Sequence, residues 1–120
     1  VLPDNTTSCR VYGLKLRGRR HRQDHLFLAS YYGPNETDGV AARTKAVKEL
    51  ATWCRRWQPH GGLLILSDAN ANTSRAANPR CNFNLLRRHV LQPFGLRVFD
   101  GSANWCGPGP PPRPLIRTRI

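Results

Sequence analysis

The most apolar stretch of the chain is a short run of large aliphatic residues, Leu63–Leu66, bounded by Gly61-Gly62 on one side and by Ser67-Asp68 on the other. The run lacks the alternation of a half-exposed strand and is shorter than an ordinary helix. It therefore predicts a strand over residues 62–68 that is buried on both faces. Strands of that kind lie inside a sandwich or a helix-covered sheet, so the chain is expected to fold into layers around this strand.

Two further strands are predicted upstream of this run. The segments "CRVYGLKLRG" and "HLFLASYY" alternate between apolar and polar positions, and the second ends at the turn signal Gly33-Pro34-Asn35. Together they predict a hairpin over residues 11–32. The connection between the strands is rich in arginine and is either an arm that grips phosphate or a solvated loop. Its basic residues include Arg17, Arg19, Arg20 and Arg22.

Two helices are predicted by apolar residues at offsets of three and four. The first covers residues 38–58, with Thr37 or Asp38 as its cap, and Pro59 follows it. Its apolar stripe is expected to face the core. The second covers residues 82–92, within "NFNLLRRHVLQPF", and Pro93 is expected to stop it.

The remaining segments complete an α/β fold class with the order β-β-α-β-α-β. "LRVFD" predicts an edge strand, residues 103–114 a loop rich in Pro and Gly, and "LIRTRI" the start of another strand. The chain is thus interpreted as one partial domain, residues 1–120. It contains no methionine and no signal peptide, so the natural start is expected upstream and the chain is expected to be a fragment.

The charge of the chain favours a polyanionic partner. Nineteen basic residues against seven acidic ones give a net charge of +12, and basic side chains that neutralise phosphates release condensed counterions. No apolar run approaches the roughly 20 residues that span a bilayer, so no membrane partner is expected. The four cysteines lack the C-x-x-C pairs of a zinc site and are expected to be idle thiols.

Polar residues cluster where the predicted strands end. "SDANA", Ser67–Ala71, lies at the end of the strand predicted over residues 62–68. "YGPN", Tyr32–Asn35, lies at the end of the preceding predicted strand, and the first predicted helix separates the two segments. This order resembles the endonuclease/exonuclease/phosphatase superfamily, whose members include the endonuclease domains of non-LTR retrotransposons. The segments "NFNLLRRHVLQPFGLRVFD", "ANWCGPG" and "RTRI" are similar to later parts of the same domain. The resemblance implies a partial DNase I-like α/β sandwich, incomplete at both ends.

The resemblance also implies roles for individual residues. Asp68 would orient or deprotonate the attacking water, or hold it through a metal, and Asn70 would fix Asp68 or the phosphate. Tyr32 would direct its hydroxyl at the phosphate, and Asn35 is either an auxiliary substrate-binding residue or a turn former. Ser67 and Ala69 depart from the family pattern, which has Gly and Phe or Leu at these places.

The resemblance implies Mg²⁺ as the cofactor of the complete domain, with Asp68 as a candidate ligand. The family's metal-binding Glu and its terminal Ser-Asp-His strand have no counterpart in this chain, so no complete metal site is expected and the fragment alone is expected to be inactive. The missing N- and C-terminal parts of the domain would be its partners.

The expected function is that of a fragment of a Mg²⁺-dependent, phosphodiester-cleaving endonuclease that acts on DNA, of the retrotransposon type. Its parent chain would carry a reverse transcriptase domain and would be nuclear. Two alternatives stay open at this point. The first is a phosphatase of the same fold. The second is a non-catalytic, basic nucleic-acid-binding fragment of a decayed element.

Overall fold

The described part of the chain, residues 2–3, 10–18, 25–72 and 75–99, forms a mixed α/β structure in this computed structural model. Its first half contains three strands, β1 (Leu2–Pro3), β2 (Val11–Arg17) and β3 (His25–Tyr32). A long helix, α1 (Val40–Trp57), and a short 3-10 turn, Gln58–His60, lead into β4 (Gly62–Asp68). The α/β class expected from the sequence is thus confirmed, and β4 has the bounds that the apolar run predicts.

The four strands form one mixed sheet in the order β1-β2-β3-β4. β2 and β3 are an antiparallel hairpin, with Val11 opposite Tyr31 and Arg17 opposite His25. β3 and β4 are parallel, with Leu26 opposite Gly62 and Tyr32 opposite Asp68. The parallel pairing requires α1 to cross over one face of the sheet between the two strands.

The helix α1 forms because residues 40–57 contain no Gly or Pro and repeat apolar side chains with helical spacing. Its buried positions include Val47, Leu50 and Cys54, which belong to the predicted stripe. The predicted cap is wrong, since Gly39 precedes the helix and no side chain caps it. The carboxylate of Asp38 instead accepts a hydrogen bond from the backbone N–H of Asn35 (3.1 Å) and therefore lies in the turn before the helix.

The second helix comprises three consecutive segments, α2 (Asn82–Leu86), a π-helical turn (Arg87–Leu91) and α3 (Gln92–Phe94). Pro93 therefore lies within its last turn and does not stop it at residue 92. A π turn is wider than an α turn, which relieves the contact between a proline ring and the preceding carbonyls. The helix ends at Gly95, whose φ of 63° is in the left-handed region that glycine adopts readily.

The core lies between one face of the sheet and the two helices. Alternate residues of the hairpin, Val11, Phe27, Ala29 and Tyr31, are buried against α1 and the second helix. Phe27 stacks on Trp57 with a centroid separation of 4.7 Å. Burial raises the pKa of Tyr31 to about 12, with smaller opposing effects of Arg10 and Glu49, so its hydroxyl stays neutral.

The opposite face of the sheet is exposed within the described residues. Leu64 and Leu66 are 47% and 58% exposed, and Tyr12 is 59% exposed. The expectation that β4 is buried on both faces is therefore wrong for this part of the chain, because both helices pack on the same side. No helix among the described residues is long and apolar enough to cross a membrane.

The segment after the second helix does not form the predicted strand. Residues 96–99 of "LRVFD" form no strand. Residues 103–114 and the "LIRTRI" segment lie outside the described residues, as do Cys9 and Cys106.

Cys54 and Cys81 are buried free thiols, and burial raises the pKa of Cys54 to about 12, which keeps it protonated and unreactive.

Candidate active site at the ends of two parallel strands

The carboxyl ends of β3 and β4 bring Tyr32 and Asp68 together. The two residues are register partners in the parallel pair, and adjacent strands of a sheet are about 4.8 Å apart. Partners in register project from the same face, and both residues are exposed, Tyr32 by 55%. A phenol and a carboxylate thus lie side by side on the open face of the sheet.

The loops that follow these two strands are joined by hydrogen bonds. The N–H of Gly33 donates to the carbonyl of Asp68 (2.8 Å), and the amide Nδ2 of Asn70 donates to the carbonyl of Gly33 (2.9 Å). The backbone at Gly33 approaches Ala69 so closely that a Cβ at position 33 would lie 2.2 Å from the Ala69 oxygen. A glycine is therefore required at this junction.

Asn70 holds the site together by its backbone and by its side chain. Its N–H points to Oδ1 of Asp68 at 3.4 Å, which favours one orientation of that carboxylate. Its φ of 48° is in the left-handed region, which asparagine tolerates better than most residues. The side-chain amide N–H, predicted to fix Asp68 or the phosphate, bonds to the Gly33 carbonyl, and the contact with Asp68 is made by the backbone of Asn70, so both predicted roles of the side chain stay predictions.

Asn35 lies in the turn between β3 and α1. Its N–H donates to the Asp38 carboxylate (3.1 Å), and its carbonyl accepts from the Asp38 N–H (3.0 Å). These reciprocal bonds are those of a turn former. Both bonds are made by the backbone of Asn35, so the substrate-binding role of its exposed side chain stays a prediction.

Arg10 is a residue at this site that the sequence patterns did not single out. It lies opposite Tyr32 across the hairpin, where its guanidinium donates to the Tyr32 carbonyl (3.2 Å) and its Cζ lies 5.9 Å from the centre of the Tyr32 ring. The N–H of Tyr32 donates to the Arg10 carbonyl (2.9 Å). A positive charge therefore lies beside the phenol, and only the register of the hairpin could have located it.

Arg17, at the start of the arginine-rich connection, is not brought to this site. Arg17 is exposed at the far end of the hairpin, opposite His25, seven positions from Tyr32 along β3. That separation corresponds to roughly 23 Å along a strand. Arg19, Arg20 and Arg22 lie outside the described residues. A ligand that contacts both Arg17 and Tyr32 must therefore be extended.

No family model, no curated protein and no solved structure matches this chain. The interpretation of the site therefore depends on the residues themselves and on their arrangement.

The described residues do not fit a magnesium site. They contain no group of three or more His, Cys, Asp or Glu side chains that could hold a metal ion. Glu36 is paired with Arg43 (3.6 Å), and the Asp38 carboxylate accepts the turn bond from Asn35. Asp68 alone supplies too few oxygen ligands for Mg²⁺, which prefers six.

Proposed function

We propose that this chain is part of a phosphodiester-cleaving endonuclease that acts on DNA, of the type found in non-LTR retrotransposons. The observation that carries the proposal is the pairing of Tyr32 with Asp68 at the ends of two parallel strands. Such strand ends are where α/β proteins place ligand-binding groups. The finer architecture that goes with this proposal is a partial DNase I-like sandwich, in which the open face of the sheet is an inner face.

The chemistry required by phosphodiester hydrolysis suits these side chains. A water oxygen attacks phosphorus, Asp68 takes the proton of that water, and the P–O bond to the leaving nucleotide oxygen breaks as solvent protonates it. The Tyr32 hydroxyl can donate to a phosphoryl oxygen, where negative charge increases in the transition state. The Arg10 guanidinium beside it stabilises the same charge. The proposal includes Mg²⁺, whose other ligands besides Asp68 would come from beyond the described residues and which would neutralise charge on the phosphoryl oxygens.

A nucleic acid is favoured over a small phosphate ester by charge. The net charge of +12 suits a ligand that carries many phosphates, as a nucleic acid does. A mononucleotide or sugar phosphate could neutralise only a small part of this charge.

The test of the proposal is removal of the Tyr32 hydroxyl alone. In the full natural reading frame that contains this chain, Tyr32→Phe is expected to lower kcat for Mg²⁺-dependent nicking of supercoiled plasmid by about 10- to 150-fold, since a hydrogen bond to a charged group contributes about 1.5–3 kcal/mol. Tyr31→Phe is the matched control, because the same atom is removed from the buried face of the same strand. Equal nicking by the wild type and Tyr32→Phe would contradict the proposed role, and binding without any cleavage by the wild type would favour a non-catalytic nucleic-acid-binding protein.

The contribution of the arginine-rich connection is tested by salt dependence. Charge reversal to Glu is applied to four arginines of this connection, Arg17, Arg19, Arg20 and Arg22. Duplex binding is expected to weaken, and the slope of log K against log salt to fall in magnitude by up to about 4, because each phosphate contact contributes about 0.9. Fluorescence anisotropy at several salt concentrations measures both quantities.

The matched control for this experiment reverses four exposed basic residues on α1, which are Lys45, Lys48, Arg55 and Arg56. The change in net charge is the same, so a general charge effect would reduce the slope equally in both variants. An equal reduction would mean that the connection is a solvated loop without a specific role.

A further inference from the structure

Asn82 connects three separate segments at the floor of the candidate site. It is the first residue of the second helix and is only 2% exposed. Its amide Nδ2 donates to the carbonyl of Pro34 (2.7 Å) and to the carbonyl of Asn70 (3.0 Å). One side chain thus bridges the loop after β3 and the loop after β4, and these strands end at Tyr32 and Asp68 respectively.

The backbone N–H and the side-chain oxygen of Asn82 are also engaged. Its N–H donates to Oε1 of Glu36 (2.9 Å), and its Oδ1 accepts from Nη1 of Arg43 (3.3 Å). Arg43 is 6% exposed and pairs with Oε2 of Glu36 (3.6 Å). Buried polar groups that are satisfied in this way hold one arrangement of the segments they join, because any other arrangement leaves a donor or a charge without a partner.

Arg43 extends this network across the start of α1. Its Nε donates to the carbonyl of Asp38 (2.9 Å), and its Nη1 also donates to the carbonyl of Arg80 (2.6 Å). The turn that contains Glu36, the first turns of α1 and the segment before the second helix are therefore tied to Asn82. Asn82 and Arg43 are buried whereas Tyr32 is exposed, so the centre of the network lies inside the protein and away from the surface that a substrate would contact.

A second buried asparagine in the same helix shows that this connection is specific. Asn84 is 5% exposed, and its Nδ2 also donates to two backbone carbonyls, those of Ala76 (2.8 Å) and Asn78 (2.7 Å). Both acceptors lie further along the connection between β4 and the second helix, at least six residues beyond Asn70. The two asparagines thus have the same donor chemistry and similar burial, but of the two only Asn82 bonds to Pro34 and Asn70, which lie two residues beyond the ends of β3 and β4.

We propose that Asn82 is a positioning residue that keeps Tyr32 and Asp68 in register for phosphodiester cleavage. The proposal rests on the proposed function, and it adds a residue that touches neither the substrate nor the reacting atoms. Asn82 acts by holding Pro34 and Asn70, and thereby the Gly33–Asp68 hydrogen bond that closes the sheet at this edge. Loss of the two N–H donors leaves two carbonyls without partners and frees the loops to separate.

The experiment compares Asn82→Ala with Asn84→Ala in the full natural reading frame. Asn82→Ala is expected to lower kcat by on the order of 10- to 100-fold with little change in KM, because displacement of catalytic groups by about 1 Å costs about that much. It is also expected to speed hydrogen exchange at the Gly33 amide. Asn84→Ala is expected to change neither quantity. Asn82→Asp, which keeps the oxygen facing Arg43 but removes both donors, replaces Asn82→Ala if that variant fails to fold.

The outcomes separate this proposal from the proposed function. If hydrogen exchange at the Gly33 amide is unchanged in the Asn82 variants, the positioning role is wrong, whatever the activity of these variants. Faster exchange with unchanged kcat, while Asp68→Asn is inactive, also overturns it and leaves the endonuclease assignment standing. Faster exchange with reduced kcat supports it. If Asp68→Asn cleaves as the wild type does, the proposed function itself is wrong and the role of Asn82 in cleavage fails with it.

Discussion

Asp68→Asn is expected to lower kcat for plasmid nicking by about 10²- to 10⁴-fold, the contribution typical of a positioned general base. The substitution keeps the size of the side chain and its hydrogen-bonding reach but removes the charge and the ability to accept a proton from water. Binding of a labelled duplex is expected to remain, because Asp68 adds negative charge to a site that attracts phosphate. Nicking rates and anisotropy measured on the same preparations separate the two effects.

Asp38→Asn is the control for this substitution. Asp38 is also exposed and lies in the neighbouring turn, where its carboxylate accepts the N–H of Asn35. The same chemical change there is expected to leave kcat unaltered. If the Asp68 variant nicks plasmid as fast as the Asp38 variant and the wild type do, Asp68 has no part in catalysis and the endonuclease assignment loses its principal residue.

Phe27→Ala is expected to lower the free energy of unfolding of the 120-residue chain by about 3–5 kcal/mol, the range for truncation of a buried large aromatic residue. Phe27 is 1% exposed in the centre of β3 and stacks on Trp57, so its removal leaves a cavity between the sheet and α1. Urea unfolding followed by circular dichroism measures the change. A loss of this size is comparable to the whole stability of many small domains.

Phe99→Ala provides the matched comparison, since the same atoms are removed from a side chain that is 65% exposed. Its effect is expected to stay within about 0.5 kcal/mol. Similar effects of the two substitutions would mean that the face of the sheet that carries Phe27 is not the packed one.

Local patterns located most of the regular structure. The helix predicted over residues 38–58 spans Val40–Trp57, and the strand predicted over residues 62–68 has those bounds, because both depend on the periodicity of consecutive side chains. The predicted strand in "LRVFD" is absent over residues 96–99. A strand needs a partner for its backbone groups, and four alternating residues do not supply one.

The candidate site was only partly accessible to the same reasoning. Tyr32 and Asp68 stand at recognisable strand ends, but their pairing depends on the parallel register of β3 and β4. Arg10 and Asn82 have no local signal, because the contacts that bring them to the site join residues 12 to 48 positions apart. The distance of Arg17 from Tyr32 likewise follows from the hairpin register and not from composition.

The sequence by itself determined the α/β class, the position of α1 and β4, the strongly basic character and the presence of polar residues after each parallel strand. These properties depend on neighbouring side chains and on composition, which folding does not change. Only the tertiary structure decided that Tyr32 faces solvent beside Asp68 while Tyr31 is buried, and that Asn82 joins the two loops. Those facts depend on strand register and on hydrogen bonds between distant segments, which exist only once the helices have packed on one face of the sheet.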